Sequence, residues 1–206
     1  MHEKAEEIFV AKKLSEYKKK RDFSKTPEPR PKVKKTKKQK LPIFVIQQHH
    51  ASHMHFDLRL EIEGVLTSWA IPKGPSTNPK EKRLAALTED HPMDYATFEG
   101  IIPEGYGAGT VIVWDTGTYE NISEYRSKPL TMTQAFTKGH ITFVLFGKKL
   151  KGAYSLIRFK DEEKNWLLIK HADEFADART NPVKTKPKSV LSTKTIAKLD
   201  KKFKRD

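Results

Sequence analysis

From Ile43 onward, apolar and polar positions alternate in short bursts rather than at helical spacing. Segments 43–47, 54–62, 65–71, 83–88, 110–114, 140–146, 153–159 and 165–170 are rich in aliphatic and aromatic residues and are separated by turn formers, the pattern of strands that bury one face. Glu63-Gly64 predicts a tight hairpin between the second and third, and Asp161–Lys164 predicts a turn between the last two. Residues 132–138 predict one short helix. Ahead of this region the period changes: Ile8, Ala11, Leu14 and Tyr17 recur at helical spacing among Glu and Lys, predicting a helix over 3–20. Thr26-Pro27-Glu28-Pro29-Arg30-Pro31 ends it, and the Lys-rich run to Lys40 reads as an extended linker. After Asp177 the chain turns basic and proline-containing, which predicts a loose tail with at most a short helix near 195–204. Many short strands, few helices and no βαβ rhythm predict a mainly β fold, an antiparallel barrel or sandwich. The organisation expected is a basic helix and linker over 1–40, a β body over 41–178 and a basic tail over 179–206.

Composition narrows the classes. A chain of 206 residues holds one domain with flanks. With no cysteine, disulfides and thiolate ligands are excluded, so any metal site uses nitrogen and oxygen donors. No apolar run approaches the roughly 18 residues of a membrane span, and Met1-His2-Glu3-Lys4 lacks a signal-peptide pattern, so a cytoplasmic protein without membrane attachment is expected, monomeric by default. The formal charge of +14 divides as +9 over 1–40, −3 over 41–178 and +8 over 179–206. Basic flanks of this kind bind polyanions by releasing counterions, without reading sequence; they also simply keep a protein soluble.

The densest chemistry is His49-His50-Ala51-Ser52-His53-Met54-His55-Phe56-Asp57-Leu58-Arg59. On a strand, His55, Asp57 and Arg59 point to one face and Phe56, Leu58 and Leu60 to the other. Imidazoles with a carboxylate suit Mn, Fe or Zn, and the guanidinium suits a phosphate, so the pattern predicts a metal-dependent phosphoryl-transfer site. Parity favours His49 over His50, since 49, 55, 57 and 59 share a face. Glu89–Tyr95 follows a strand and reads as a loop offering His91 and Tyr95, although a structural turn has the same look. Lys73, between Pro72 and Gly74 at a strand end, is either a phosphate contact or the point where the chain leaves the core. Gly100–Gly109 is glycine-rich but lacks GK[ST], so it reads as a wide turn. There is no G-x-S-x-G, no H-E-x-x-H and no Lys-x-Asp-Gly. His140 and His171 have no carboxylate in register and are expected to be structural.

Taken together, these motifs resemble a known family, the 3′-phosphoesterase domain of bacterial DNA ligase D and its free-standing archaeal and bacterial relatives. The similarity runs over about 17–177 and is carried by Tyr17–Phe23 with Thr26-Pro27-Glu28-Pro29, Phe44–His49 through Glu61, Ser68–Ser76, Glu89–Pro92 with Tyr95, Phe98-Glu99-Gly100 with Tyr106-Gly107, Trp114–Gly117 and Leu168–Asp173. The resemblance implies a compact β-barrel with its site in a surface groove and a manganese-dependent activity, other divalent metals being possible. That activity removes a 3′-terminal ribonucleoside from a DNA primer–template and then the remaining 3′-phosphate. It places metal ligands on His49, His55 and Asp57, phosphate or transition-state contacts on Arg59, His91 and Tyr95, and further functional positions on Arg21, Asp22, Gln47, Lys73, Arg83 and Glu89. Relatives often carry Asp where this chain has His50. The resemblance also implies that the segment around Arg21-Asp22 folds back over the barrel. A DNA ligase, polymerase or end-binding protein would be the partner in repair by non-homologous end joining. A 3′-phosphatase lacking the nuclease step, a non-catalytic nucleic-acid-binding barrel and a metallophosphatase for small esters are the competing readings.

Overall fold

A computed structural model describes residues 2–32, 40–159 and 162–203; the Lys-rich run expected as a linker lies almost wholly outside them. The helices are α1 (His2–Lys13), α2 (Ser15–Lys19), α3 (Met132–Lys138), α4 (Pro182–Thr185) and α5 (Ile196–Phe203), with a 3₁₀ turn at Met93–Thr97. The strands are β1 (Ile43–His50), β2 (Met54–Ile62), β3 (Val65–Ile71), β4 (Lys82–Leu87), β5 (His91–Pro92), β6 (Gly100–Ile102), β7 (Gly109–Asn121), β8 (Glu124–Tyr125), β9 (Lys128–Pro129), β10 (His140–Gly147), β11 (Lys151–Arg158) and β12 (Asn165–Lys170). Eight of them run β1-β2-β3-β4-β12-β11-β10-β7 and close through a β1–β7 pairing. Closure removes the free sheet edges, and of the two architectures open from the sequence the barrel is the one formed. β5 adds to β3 and β6 to β7 outside the closed circuit.

Alternation decides which residues fill the barrel. Phe44, Ile46, Phe56, Leu58, Leu60, Trp69, Trp114, Phe143, Leu156 and Trp166 point inward and pack as one core. The hairpin at Glu63-Gly64 has positive φ at both residues, 50° and 78°, as a two-residue turn between right-twisted strands requires. The predicted helix over 3–20 is interrupted at Leu14, giving α1 and α2. α3 occupies the predicted positions, capped by a reciprocal Thr131–Gln134 box and stopped by Gly139 at φ 74°.

A second cluster lies outside the barrel. Val45, Leu66, Val111 and Val113 on the outward faces pack against Tyr17, Tyr95, Phe98 and Ile102. Tyr17 is fully buried there, and its hydroxyl donates to the Pro29 carbonyl at 2.7 Å. Through this apolar contact the N-terminal segment packs on the wall. Residues 182–203, whose composition predicts a loose tail, also lie along the barrel. Apolar and backbone groups spaced among the lysines supply their anchors, Val190 N–H donating to the Val113 carbonyl at 2.9 Å.

One buried acid on β7 holds the turn between β10 and β11. Asp115 accepts from the backbone N–H groups of Thr116, Lys148, Lys149 and Leu150 at 2.8–3.0 Å. Asp115→Ala leaves these donors without partners, at a cost of about 3 kcal/mol. For a chain of this size that lowers Tm by roughly 6–12 °C, readable by calorimetry; an unchanged Tm would show that the turn finds other acceptors.

Candidate metal and phosphate site

The site grows from strand register. His49 lies opposite His55, Gln47 opposite Asp57 and Val45 opposite Arg59, and cross-strand partners share a face. Ser68 and Ala70 of β3 extend the patch beside Arg59 and Asp57, and β5 brings His91 opposite Leu66. A shift in the β1–β7 register between Ile46 and Gln47 falls where the polar row begins, a common way to re-aim side chains beside a site.

His49, His55 and Asp57 each offer a ligand atom, all within 4.8 Å of one another. Their tautomers follow from their partners. His49 Nε2 is 2.9 Å from the Gly107 carbonyl and His55 Nδ1 is 3.0 Å from the His53 carbonyl. Carbonyls only accept, so these nitrogens carry the protons. The bare nitrogens, Nδ1 of His49 and Nε2 of His55, then face the two Asp57 oxygens at 3.8 Å each. That gap is too long for a hydrogen bond and is one that a cation about 2.1 Å from each ligand spans. Imidazoles oriented by backbone carbonyls are the usual second layer of such sites, so the residues present fit a divalent metal. Burial would raise the Asp57 pKa, but the Arg59 guanidinium overrides it and, with the two imidazoles, holds the carboxyl well below its ordinary range.

Arg59 is buried and held on four sides: Nε donates to Gln47 Oε1 at 2.7 Å, Nη1 to Ser68 Oγ at 2.8 Å and Nη2 to Asp57 Oδ2 at 3.0 Å, with His91 Nδ1 3.0 Å from Nη1. Gln47 is fixed in turn, its amide donating to the Tyr95 and Phe98 carbonyls. His91 Nδ1 lies 2.9 Å from the Glu89 carbonyl and Nε2 3.3 Å from Arg21 Nη2. A neutral ring with its proton on Nδ1 donates to Glu89 and accepts from Arg21 on Nε2, and Arg59 Nη1 then touches Nδ1 without donating to it. Burial first, then Arg59 and Arg21, push its pKa well below the ordinary value, so it is neutral at neutral pH. Tyr95 is buried edge-on to His91, donates to Glu28 Oε1 at 2.9 Å and has its pKa raised by burial and by Glu28.

The N-terminal segment forms the remaining wall. Arg21 donates to Glu28 at 2.9 Å and to Glu89 at 3.0 Å, and Lys20 reaches Glu89 at 3.0 Å. Arg21, Glu28 and Glu89, with the metal set, Arg59, His91, Tyr95, Tyr106 and Gly107, enclose a cavity of about 300 Å³. Of the positions expected to be functional, Gln47 is buried behind Arg59 without lining the cavity, and three others lie apart from it. Asp22 is exposed, its carboxylate accepting from Ser24, and borders an adjoining cavity with Lys25 and Glu104. Lys73 is exposed just past the end of β3, and Arg83 faces Glu81 on β4. His50 points away, its Nδ1 2.7 Å from Asp200 of α5.

Glu28, Tyr106 and Gly107 are the site residues that sequence reasoning missed. The signal for Glu28 was a lone acid between prolines in a basic stretch. Gly107 acts through its carbonyl, which no side-chain pattern reports. Gly109, beside it, has no Cβ and lets β7 pass against the His50 backbone.

A family model described as the DNA Ligase D 3′-phosphoesterase domain matches residues 47–158. The chain is 44% identical over 191 residues to the multifunctional non-homologous end joining protein LigD of Pseudomonas aeruginosa, covering 90% of this chain and 22% of that protein. It is 46% identical over 167 residues to the protein of the same name from Mycolicibacterium smegmatis, covering 80% and 21%. With the Mycobacterium tuberculosis multifunctional non-homologous end joining DNA repair protein LigD it shares 46% over 165 residues, 77% of this chain and 20% of that one. The chain thus spans about a fifth of the length of these curated relatives. On the family match and on identity across most of its residues, this chain belongs to the DNA ligase D 3′-phosphoesterase domain family.

Proposed function

We propose that the chain is a manganese-dependent phosphoesterase that heals DNA 3′ ends. In the first step water adds to the terminal phosphodiester and the P–O5′ bond breaks, releasing the 3′-terminal ribonucleoside and leaving a 3′-phosphate. In the second, water adds again, the P–O3′ bond breaks and a 3′-OH remains, ready for a polymerase or ligase. The observation that carries this reading is the pair of imidazoles whose outer nitrogens are held by backbone carbonyls while their bare nitrogens converge on Asp57.

A divalent cation on His49, His55 and Asp57 would supply Lewis-acid polarisation of the phosphate ester. The other residues have separate work. Arg59, preorganised by Gln47, Ser68 and Asp57, offsets charge gathering on the phosphoryl oxygens without reorganising. His91 meets the substrate as a neutral hydrogen-bonding group, because an imidazolium is disfavoured there. Arg21, Glu28 and Glu89 fix the wall facing the terminal nucleoside. In this reading Asp22 acts from the adjoining cavity, and Lys73 and Arg83 act on more distant parts of the substrate strand.

The test is a 5′-labelled primer–template ending in one ribonucleotide, incubated with Mn²⁺ and resolved on a sequencing gel. A shortened 3′-phosphate product followed by a 3′-OH product is expected. Removal of a preformed 3′-phosphate with the ribonucleotide end intact would reduce the function to a phosphatase. An end unchanged across divalent metals and salt would remove the catalytic reading altogether.

A further inference from the structure

Residues 182–203 form a strap whose attachments leave its charges free. Trp114 Nε1 donates to the Lys186 carbonyl at 2.8 Å, and Lys149 Nζ donates to the carbonyls of Lys186 and Lys188 at 2.7 and 2.6 Å. Lys148 Nζ donates to the Val190 carbonyl at 3.3 Å, Ser189 Oγ bonds Glu99, and Ile196 is buried. Backbone carbonyls and apolar or small side chains thus carry the docking. The side chains of Lys184, Lys186, Lys188, Lys194, Lys198 and Lys201 are all exposed. The single acid between Pro182 and Phe203 is Asp200, and it is engaged by His50.

The strap also ends at an informative place. α5 packs against β1, β6 and β7, and its contact on β1 is His50, adjacent to the ligand His49 and so about 3.8 Å along the chain. Lys198 and Lys201, three residues apart on α5, share a helix face. The metal group hangs from β1 and β2, so α5 flanks it on the β7 side while Lys20 and Arg21 flank it on the β5 side. The site therefore lies between Lys198 and Lys201 of α5, exposed and unpaired among the described residues, and a wall in which Lys20 and Arg21 are paired with acids.

We propose that α5 and the strap are a fixed DNA-binding bank, with phosphates of the primer–template running to the 3′ end seated on Lys194, Lys198 and Lys201. This rests on reading the pocket as a 3′-end site. Phosphodiester backbone is the fitting partner because α5 is anchored at His50, next in the chain to the candidate metal ligand His49. A lipid surface would call for apolar side chains to insert, and among the described strap residues Leu191 is the one large apolar side chain exposed. A docked bank differs from a loose tail in placing a fixed set of cations, and so in making the loss from two substitutions countable.

The experiment compares the full chain with Lys198→Gln/Lys201→Gln, both positions exposed and free of packing roles. Binding to a primer–template across a salt series should lose about 1.8 from the slope of log K on log salt, and affinity near 0.1 M salt should fall ~10–60-fold. KM for primer–template should rise in parallel, while kcat and phosphate release from a 3′-mononucleotide stay unchanged. An unchanged slope and KM in a variant of unaltered Tm would overturn the proposal. So would a loss of binding confined to phosphatidylserine vesicles. Should the unsubstituted protein act on no 3′ end while the substitutions still flatten the salt slope, the bank stands and the proposed activity falls.

Discussion

His55→Ala is expected to lower primer-end hydrolysis by about 10³-fold or more and to abolish tight Mn²⁺ binding in calorimetric titration, while leaving the fold intact. His55 is suited to this test because its side chain retains 23% exposure and its one hydrogen bond is to the neighbouring His53 carbonyl. Its removal therefore takes away a ligand with little packing. The Mn²⁺ titration is independent of turnover, so lost activity with unchanged Mn²⁺ affinity would sink the metal assignment while sparing a catalytic role for the ring. His50→Ala is the matched control: its ring is turned to Asp200, and Mn²⁺ affinity should survive. Asp57→Asn asks the same question with an added pH signature. The folded-state pKa of Asp57 is held below the ordinary 3.8. Its ionised form therefore contributes stability that is present above about pH 4 and lost as pH falls through the folded value. The Asn variant should lack that acid limb and also fail to bind Mn²⁺.

Parity made part of this site legible before any coordinates. Along 49–59 the period of two separates His49, His55, Asp57 and Arg59 from Phe56 and Leu58, and the barrel keeps that division, placing the first set outside and the second in the core. The choice of His49 over His50 follows from the same parity. Strand positions and the short α3 were also readable, because they depend on local pattern and capping. Closure was implied by the family resemblance and is formed, but no local pattern encodes it, because the β1–β7 pairing joins residues about 70 apart. β7 was read as 110–114 but continues to Asn121, since Gly117 and the polar residues around it hide the strand. Glu28 was invisible as a site residue for a related reason. Its role comes from Arg21 and Tyr95 converging on it, and prolines on either side gave it the look of a linker. The short helix expected near 195–204 forms as α5, but the docking of the strap was not legible, because lysines dominate its composition while backbone carbonyls do the docking.

Arg21→Ala should cost about 3 kcal/mol, the lower end of the range for breaking a buried ion pair, because the acids left behind keep only part of their compensation. The side chains of Arg21, Glu28 and Glu89 are 4%, 1% and 1% exposed, so their charges are compensated mainly by one another. Lys20 would remain for Glu89, and Tyr95 and Thr26 for Glu28, which sets the loss below that of an unpartnered pair. The pH dependence has a definite sign. Burial would raise the Glu89 pKa, but hydrogen bonds from Lys20 and Arg21 prevail and hold it below 4.5. Glu89 therefore contributes stability present above that pH and lost as pH falls through the folded value. Without Arg21 the folded pKa rises, so the acid limb of the variant's stability curve moves to higher pH. Arg21→Lys should recover only part of the loss, because one ammonium cannot reproduce the fork that meets Glu28 and Glu89 together. The same network separates local from global failure. Arg21 precedes the barrel and is joined to it through Glu89 and His91, so its loss should first release the segment around Tyr17. Limited trypsin digestion should then cut Arg21→Ala at Lys18–Lys25 well before any site in β1–β12. Equal cleavage of variant and parent there would mean that Tyr17 and its apolar neighbours, rather than the ion network, hold the segment in place.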